Sequence, residues 1–138
     1  MSFHNSIKEV RIAITVERFD EAVQFYRDRL GLAVVKQWQD TDGSGIILAL
    51  GSHTTLELFN SSQAAFVDQM EVGKRISGPV RLALSVRDIE AEVEMFQQAG
   101  AQILSQPKTM PWGDYNARVE SIDGMQITLY QTNSTEAI

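Results

Sequence analysis

The sequence predicts an α+β fold made of two tandem βαβββ modules, and three observations carry that prediction. Val10-Arg11-Ile12-Ala13-Ile14-Thr15-Val16 and Val80-Arg81-Leu82-Ala83-Leu84-Ser85-Val86 match position by position seventy residues apart, which is the mark of an internal duplication. Each half then runs in the same order, a strand, a helix and three shorter strands. The last strands match as well: Leu56-Glu57-Leu58-Phe59 corresponds to Ile127-Thr128-Leu129-Tyr130. Duplicated halves commonly face one another across a cleft, so Arg11 and Arg81 are expected to look into one shared cavity.

The elements follow from local pattern. In residues 8–16, Val10, Ile12, Ile14 and Val16 alternate with Arg11, Ala13 and Thr15, the period of two of a half-buried strand. Asp20 and Glu21 open a helix whose apolar Ala22, Val23, Phe25, Tyr26 and Leu30 recur at three- and four-residue spacing before a glycine stop at Gly31. Strands are expected over 32–39, 46–50 and 54–59, divided by the turn-rich Asp42-Gly43-Ser44-Gly45 and Gly51-Ser52-His53. The second half gives a strand over 80–87, a helix over 89–99 closed by Gly100, and strands over 102–105, 116–122 and 125–131. A long loop from Pro107 to Asp114 and a hairpin turn at Asp123-Gly124 separate these strands. The chain thus reads as a single domain over 1–138: module 1 (8–60), a joiner (61–79) holding a short helix through Phe66, Val67 and Met70, module 2 (80–131), and a polar, flexible tail (132–138).

Bulk properties narrow the function classes. Twelve Lys plus Arg against eighteen Asp plus Glu give a net charge of −6, which disfavours sequence-independent binding to nucleic acid. The absence of cysteine excludes disulfides, thiolate metal sites and a cysteine nucleophile, and fits a cytoplasmic location. No stretch approaches the ~20 apolar residues of a membrane span, and the first residues lack the pattern of an export signal. There is no nucleophile elbow, phosphate loop or dinucleotide fingerprint.

Duplicated βαβββ modules with Phe25-Tyr26, Leu30-Gly31-Leu32, Leu56-Glu57-Leu58, Leu82-Ala83-Leu84-Ser85-Val86, Pro111-Trp112-Gly113 and Asp123-Gly124-Met125-Gln126-Ile127 resemble the vicinal oxygen chelate superfamily. Glyoxalase, bleomycin-resistance proteins and extradiol dioxygenases belong to it. The resemblance implies that each module curls its mixed sheet into half a barrel, that the two halves enclose a site, and that the protein is a homodimer. In catalytic members a divalent metal is held by side chains of the first and last strands of each module. Here those positions fall on Arg11, Glu57, Arg81 and Thr128. A guanidinium offers five donors and no lone pair, so Arg11 and Arg81 cannot ligate a cation. The expectation is therefore no metal and no cofactor. His4 and His53 do not rebuild a site, because His53 and Glu57 are four strand residues apart, about 13 Å.

Strand alternation instead sends Arg11, Ala13, Thr15, Thr55, Glu57, Phe59, Arg81, Ala83, Ser85, Gln126, Thr128 and Tyr130 into the concavity. Glu57 is the natural counterion for one arginine, leaving the other to meet an anionic group of a ligand. Trp38, Phe59, Trp112, Tyr115 and Tyr130 could form an apolar wall, with Trp112 the best placed. The leading reading is a metal-independent small-molecule-binding protein of the glyoxalase/bleomycin-resistance type. Its expected ligand contacts are Arg11, Glu57, Arg81, Trp112, Thr128 and Tyr130. Two alternatives stay open: a metal-dependent lyase, isomerase or dioxygenase with a non-standard site, and a member of the fold that binds no ligand. Whether the chain is an enzyme is open, although Glu57 is the one candidate base, weakened by neighbouring arginines.

Overall fold

The computed structural model describes residues 7–132, so His4 and the expected tail from residue 133 lie outside the described residues. The elements are β1 (Ile7–Thr15), α1 (Phe19–Val23) continuing as a π-helical segment (Gln24–Arg29), β2 (Val34–Asp40), β3 (Gly43–Ala49), β4 (Thr54–Phe59), α2 (Ser61–Val72), β5 (Val80–Val86), α3 (Ile89–Gln98), β6 (Gln102–Thr109), β7 (Tyr115–Glu120) and β8 (Gln126–Gln131). Eight strands form one open, curved mixed sheet in the order β2-β3-β4-β1-β5-β8-β7-β6. The first four positions are module 1 and the last four are module 2 in mirrored sequence, with parallel β1–β4 and β5–β8 pairs and antiparallel pairs elsewhere.

The seam between the modules is the repeated segment pairing with itself. β1 and β5 run antiparallel with Ile12 opposite Leu82, Arg11 opposite Ala83 and Ala13 opposite Arg81. A pseudo-twofold axis therefore passes through the Ile12–Leu82 pair. Alternation then sorts the side chains. Ile12, Ile14, Leu56 and Leu58 pack with Val23 and Tyr26 beneath the first helical segment. Leu82, Leu84, Ile127 and Leu129 pack with Ile89 and Val93 beneath α3. The opposite, concave face receives α2, whose Ala64 and Val67 pack on Phe59 and Trp38.

Four expectations from sequence are corrected. The first helix does not stay α-helical to Gly31: it widens so that the Leu30 N–H donates to the Phe25 carbonyl at 2.9 Å, one residue beyond α-helical spacing. The turn expected at 42–45 is shorter, because Gly43, Ser44 and Gly45 pair with β2. The loop expected from Pro107 begins only after Thr109. Since β6 is the sheet edge, irregular pairing between Ser105 and Lys108 admits a residue without an N–H. The joiner helix is also longer than its apolar residues suggested, spanning twelve residues and closing at left-handed Gly73.

The start of α2 is fixed by one side chain. Asn60 Oδ1 accepts the Gln63 N–H at 2.9 Å and the Ser44 N–H at 3.1 Å, so it caps the helix and ties it to β3 together. Asn60→Ala is expected to lower stability by about 1–2 kcal/mol, measured by urea unfolding, whereas Asn60→Asp should retain most of the stability. Among the described residues no helix is long and apolar enough to cross a membrane.

Candidate functional site

The concave face encloses a cleft of about 530 Å³, within the ordinary size of small-molecule sites. Its floor is the inward row of four adjacent strands. Glu57 on β4 pairs in register with Ala13 on β1, and Ala13 pairs with Arg81 on β5. One pleat along, Thr55 pairs with Arg11, Arg11 with Ala83, and Ala83 with Thr128. Of the residues expected to bind ligand, Arg11, Glu57, Arg81, Trp112, Thr128 and Tyr130 all border this cleft.

The three arginines of the site have different surroundings. Arg11 lies 3.7 Å from Glu57 Oε2 and 3.4 Å from Glu9 Oε2, donates from Nε to Thr55 Oγ1 at 3.1 Å, and stacks 5.3 Å from the Tyr130 ring. The Tyr130 hydroxyl donates to Glu9 Oε1 at 3.0 Å, and burial of its ring pushes the phenol upward. Arg118 on β7 is wholly buried and is the most heavily partnered. It reaches Glu71 Oε1 at 2.8 Å and Asp68 Oδ1 at 3.1 Å, both on α2, and donates to Gln126 Oε1 at 3.2 Å. Asp68 also accepts from the backbone N–H groups of Ile76 and Ser77, the Ser77 hydroxyl and Arg75. Burial alone would raise its carboxyl, but those donors and Arg118 hold it well below the usual carboxylate range.

Arg81 is different. It is 6 % exposed, donates from Nη1 to Thr128 Oγ1 at 2.9 Å and lies 5.8 Å from the Phe59 ring. Among the described residues no carboxylate comes within ion-pair distance of it. Burial pulls its pKa down, and the carboxylates of Glu71, Glu57 and Asp68, acting at longer range, oppose that shift while Arg118 adds to it. Thr128 has no capacity left over. Its oxygen accepts from Arg81 and from Arg118 Nε at 3.1 Å, and its hydrogen goes to Glu71 Oε1 at 2.9 Å.

Glu57 is the mirror case. It is 7 % exposed, and apart from the long contact with Arg11 no hydrogen-bond donor approaches it among the described residues. Burial raises its pKa, against the lowering influence of Arg11 and Arg81.

The residues do not suit the divalent metal that the fold family implies. Two of the four equivalent positions carry guanidinium groups, the third is a threonine whose oxygen is fully engaged, and only Glu57 is an anionic donor. Among the described residues no group of three His, Cys, Asp or Glu side chains converges to hold an ion. His53 is an exposed turn residue whose carbonyl accepts the Val10 N–H at 3.0 Å.

The aromatic wall differs in part from expectation. Trp38, Phe59, Trp112 and Tyr130 border the cleft, and Phe66 of α2 joins them, tilted against Trp112 at 6.3 Å between ring centres. Tyr115 does not. Its ring packs toward the α3 core and its hydroxyl donates to Glu90 at 2.7 Å, because it occupies the outward phase of β7. Trp38 lies directly over Gly45, where a Cβ would stand 2.2 Å from the ring, and its indole N–H donates to Gln63 at 3.0 Å. The corresponding residue in module 2 is Asn116, since Gly45 pairs with Phe59 as Asn116 pairs with Tyr130. Asn116 donates to Glu71 Oε2 at 3.0 Å, and its own carbonyl oxygen has no hydrogen-bond partner among the described residues. By the same register Ile47 corresponds to Arg118.

Sequence reasoning missed Arg118, Asp68 and Glu71. Arg118 was detectable: Asn116, Arg118 and Glu120 alternate with Ala117 and Val119, which puts Arg118 on the inward phase. Asp68 and Glu71 carried no comparable signal, because acidic residues on a short joiner helix read as a solvated face.

Comparison with known proteins agrees with this architecture. Residues 10–129 match the Glyoxalase/Bleomycin resistance protein/Dioxygenase superfamily. Among solved structures, methylmalonyl-CoA epimerase from Mycobacterium tuberculosis is similar at 21 % identity, over 99 % of this chain and 96 % of that one, with a TM-score of 0.64. A superfamily member from Vibrio splendidus is 16 % identical over 89 % and 97 %, with a TM-score of 0.63. A variant of Streptomyces coelicolor methylmalonyl-CoA epimerase in complex with 2-nitronate-propionyl-CoA is 17 % identical over 94 % and 97 %, with a TM-score of 0.67. No curated protein matches the sequence. At such identities the structures share the fold, and the family match over most of the chain decides membership: this protein belongs to the Glyoxalase/Bleomycin resistance protein/Dioxygenase superfamily.

Proposed function

We propose that the protein is a metal-independent binder of a small molecule that carries one anionic group, held in the cleft between the two modules. The observation that carries this reading is Arg81: a buried guanidinium bordering the cleft, positioned by Thr128 and the Phe59 face, with no carboxylate paired to it among the described residues. A buried cation without a partner is costly, and a ligand carboxylate or similar group would relieve that cost while gaining a forked, charge-assisted contact. Because Thr128 already orients the side chain, little ordering is left to be done on binding. Arg11 borders the same floor but is occupied by Glu57 and Glu9. Trp38, Phe59, Phe66 and Trp112 supply an apolar wall for the body of the ligand.

The charge at the cleft limits the ligand further. Asp40, Asp42 and Asp114 border it alongside Lys36, an arrangement that suits a single negative group better than a polyphosphate such as the one carried by coenzyme A. Burial raises Asp114, opposed by Arg11 and Lys36, so the aspartates do not act as one uniform field.

Native mass spectrometry of protein purified without any chelator reports bound metal and retained organic ligand together. The expected result is no stoichiometric metal, with an organic acid as any retained adduct. One divalent ion per chain would overturn the reading in favour of a metal-dependent enzyme of the same superfamily.

A further inference from the structure

We infer that the ligand is zwitterionic, with a protonated amine directed at Glu57 and a carboxylate directed at Arg81 across the gap left by Ala13. This rests on the anion-binding reading above and adds the second charge. The argument begins with strand register. Glu57, Ala13 and Arg81 stand side by side on three neighbouring strands and share the concave face. Adjacent strands are about 4.8 Å apart, so the two charged residues start about 10 Å from one another. Between them Ala13 contributes only a methyl group.

The two side chains do not close that gap themselves. Among the described residues Arg81 has no carboxylate partner, and Glu57 has no hydrogen-bond donor, its nearest cation being Arg11 at 3.7 Å. Both are more than nine-tenths buried and both border the cleft. The floor thus presents a donor fork and an acceptor carboxylate as separate, largely desolvated ends. Among the described residues Arg81 has no opposite charge within ion-pair distance, and Glu57 has only the long 3.7 Å contact with Arg11, which leaves it without a hydrogen-bonded donor. A ligand bearing only an anion would satisfy Arg81 and add a negative charge near Glu57. A ligand with an adjacent ammonium group satisfies both and leaves the net charge of the floor unchanged. The aromatic wall of Trp38, Phe59, Phe66 and Trp112 then favours an amino acid with an apolar or aromatic side chain.

Calorimetric titration with three matched probes tests this: L-phenylalanine, 3-phenylpropanoate, which lacks the amine, and 2-phenylethylamine, which lacks the carboxylate. Phenylalanine is expected to bind about ten- to a hundredfold more tightly than either, as charge-assisted hydrogen bonds at both ends imply. Glu57→Gln should bring phenylalanine down to the affinity of phenylpropanoate, and Arg81→Met should abolish binding of both acids, with circular dichroism confirming the fold. If phenylpropanoate binds as tightly as phenylalanine and remains sensitive to Arg81→Met, the zwitterion inference fails and the anion site stands. Binding of none of the three overturns both. Should Glu57→Gln fail to fold, the comparison of the three probes on the unaltered protein decides alone.

Discussion

Replacing Arg118 by Met is expected to cost about 3–5 kcal/mol, because it leaves buried Glu71 with no ion-pair partner among the described residues and Asp68 with Arg75 alone. The magnitude belongs to the broken network and not to the net worth of the intact one. Asp68→Asn and Glu71→Gln introduced together with Arg118→Met should therefore recover much of the loss. Acidity provides a second check with a definite sign. In the unaltered protein the Asp68 carboxyl is depressed by its donors, so its stabilising share is full above the unfolded aspartate value of about 3.9 and is lost as pH falls toward its own low value. In Arg118→Met the Asp68 carboxyl loses one of the charges that depress it, so its folded value rises. The variant then gains relative stability as pH falls below the unfolded aspartate value of about 3.9. The gap between the two proteins, measured by urea unfolding, should be widest near pH 7 and narrow on acidification. A gap independent of pH would mean that Arg118 contributes packing and not charge compensation.

The second large effect is expected at Gly43, which fixes the other end of α2. Its φ is +137°, and an added Cβ would lie 2.4 Å from the Gln63 backbone nitrogen and 2.6 Å from its Cα. These are main-chain atoms of a capped helix, so no rotamer change relieves the contact. Gly43→Ala should cost about 2–4 kcal/mol from backbone strain and overpacking combined. Gly31→Ala is the natural control, since Gly31 also has positive φ, +77°, but has open space around the site of a Cβ. That change should cost about 1 kcal/mol. Shifting Gln63 also removes the acceptor of the Trp38 indole N–H, so Gly43→Ala should change tryptophan emission whereas Gly31→Ala should not. Equal losses in the two variants would show that close approach to α2 contributes nothing.

The repeat, the strand order of each half and the sorting of side chains onto two faces were legible from sequence, because each rests on a period-two pattern that burial enforces residue by residue. Leu56 and Leu58 had to go under the helix, which fixed Glu57 and Phe59 on the concave side. That Glu57 would pair with one of the two inward arginines was readable for the same reason, but which of them was not, and the structure gives it to Arg11. The joiner was not. α2 lies on the concave face through contacts with Gly43, Phe59 and Arg118 that are distant in sequence, and nothing in residues 61–72 alone distinguishes a buried Asp68 from a solvated one. The widening of the first helix was likewise hidden, since its apolar spacing fits α-helical and π-helical turns alike.

The correspondence of Gly45 with Asn116 and of Ile47 with Arg118 has a consequence for how the cleft reads its contents. Duplication would produce a palindromic chamber that accepts a molecule equally well either way round. At these two positions the copies have diverged, one flank presenting the Trp38 indole and Ile47 to the cleft and the other the Asn116 amide, with Arg118 wholly buried behind it. The chamber therefore has a head and a tail, and it discriminates the orientation of its occupant even though its walls descend from one repeated sequence.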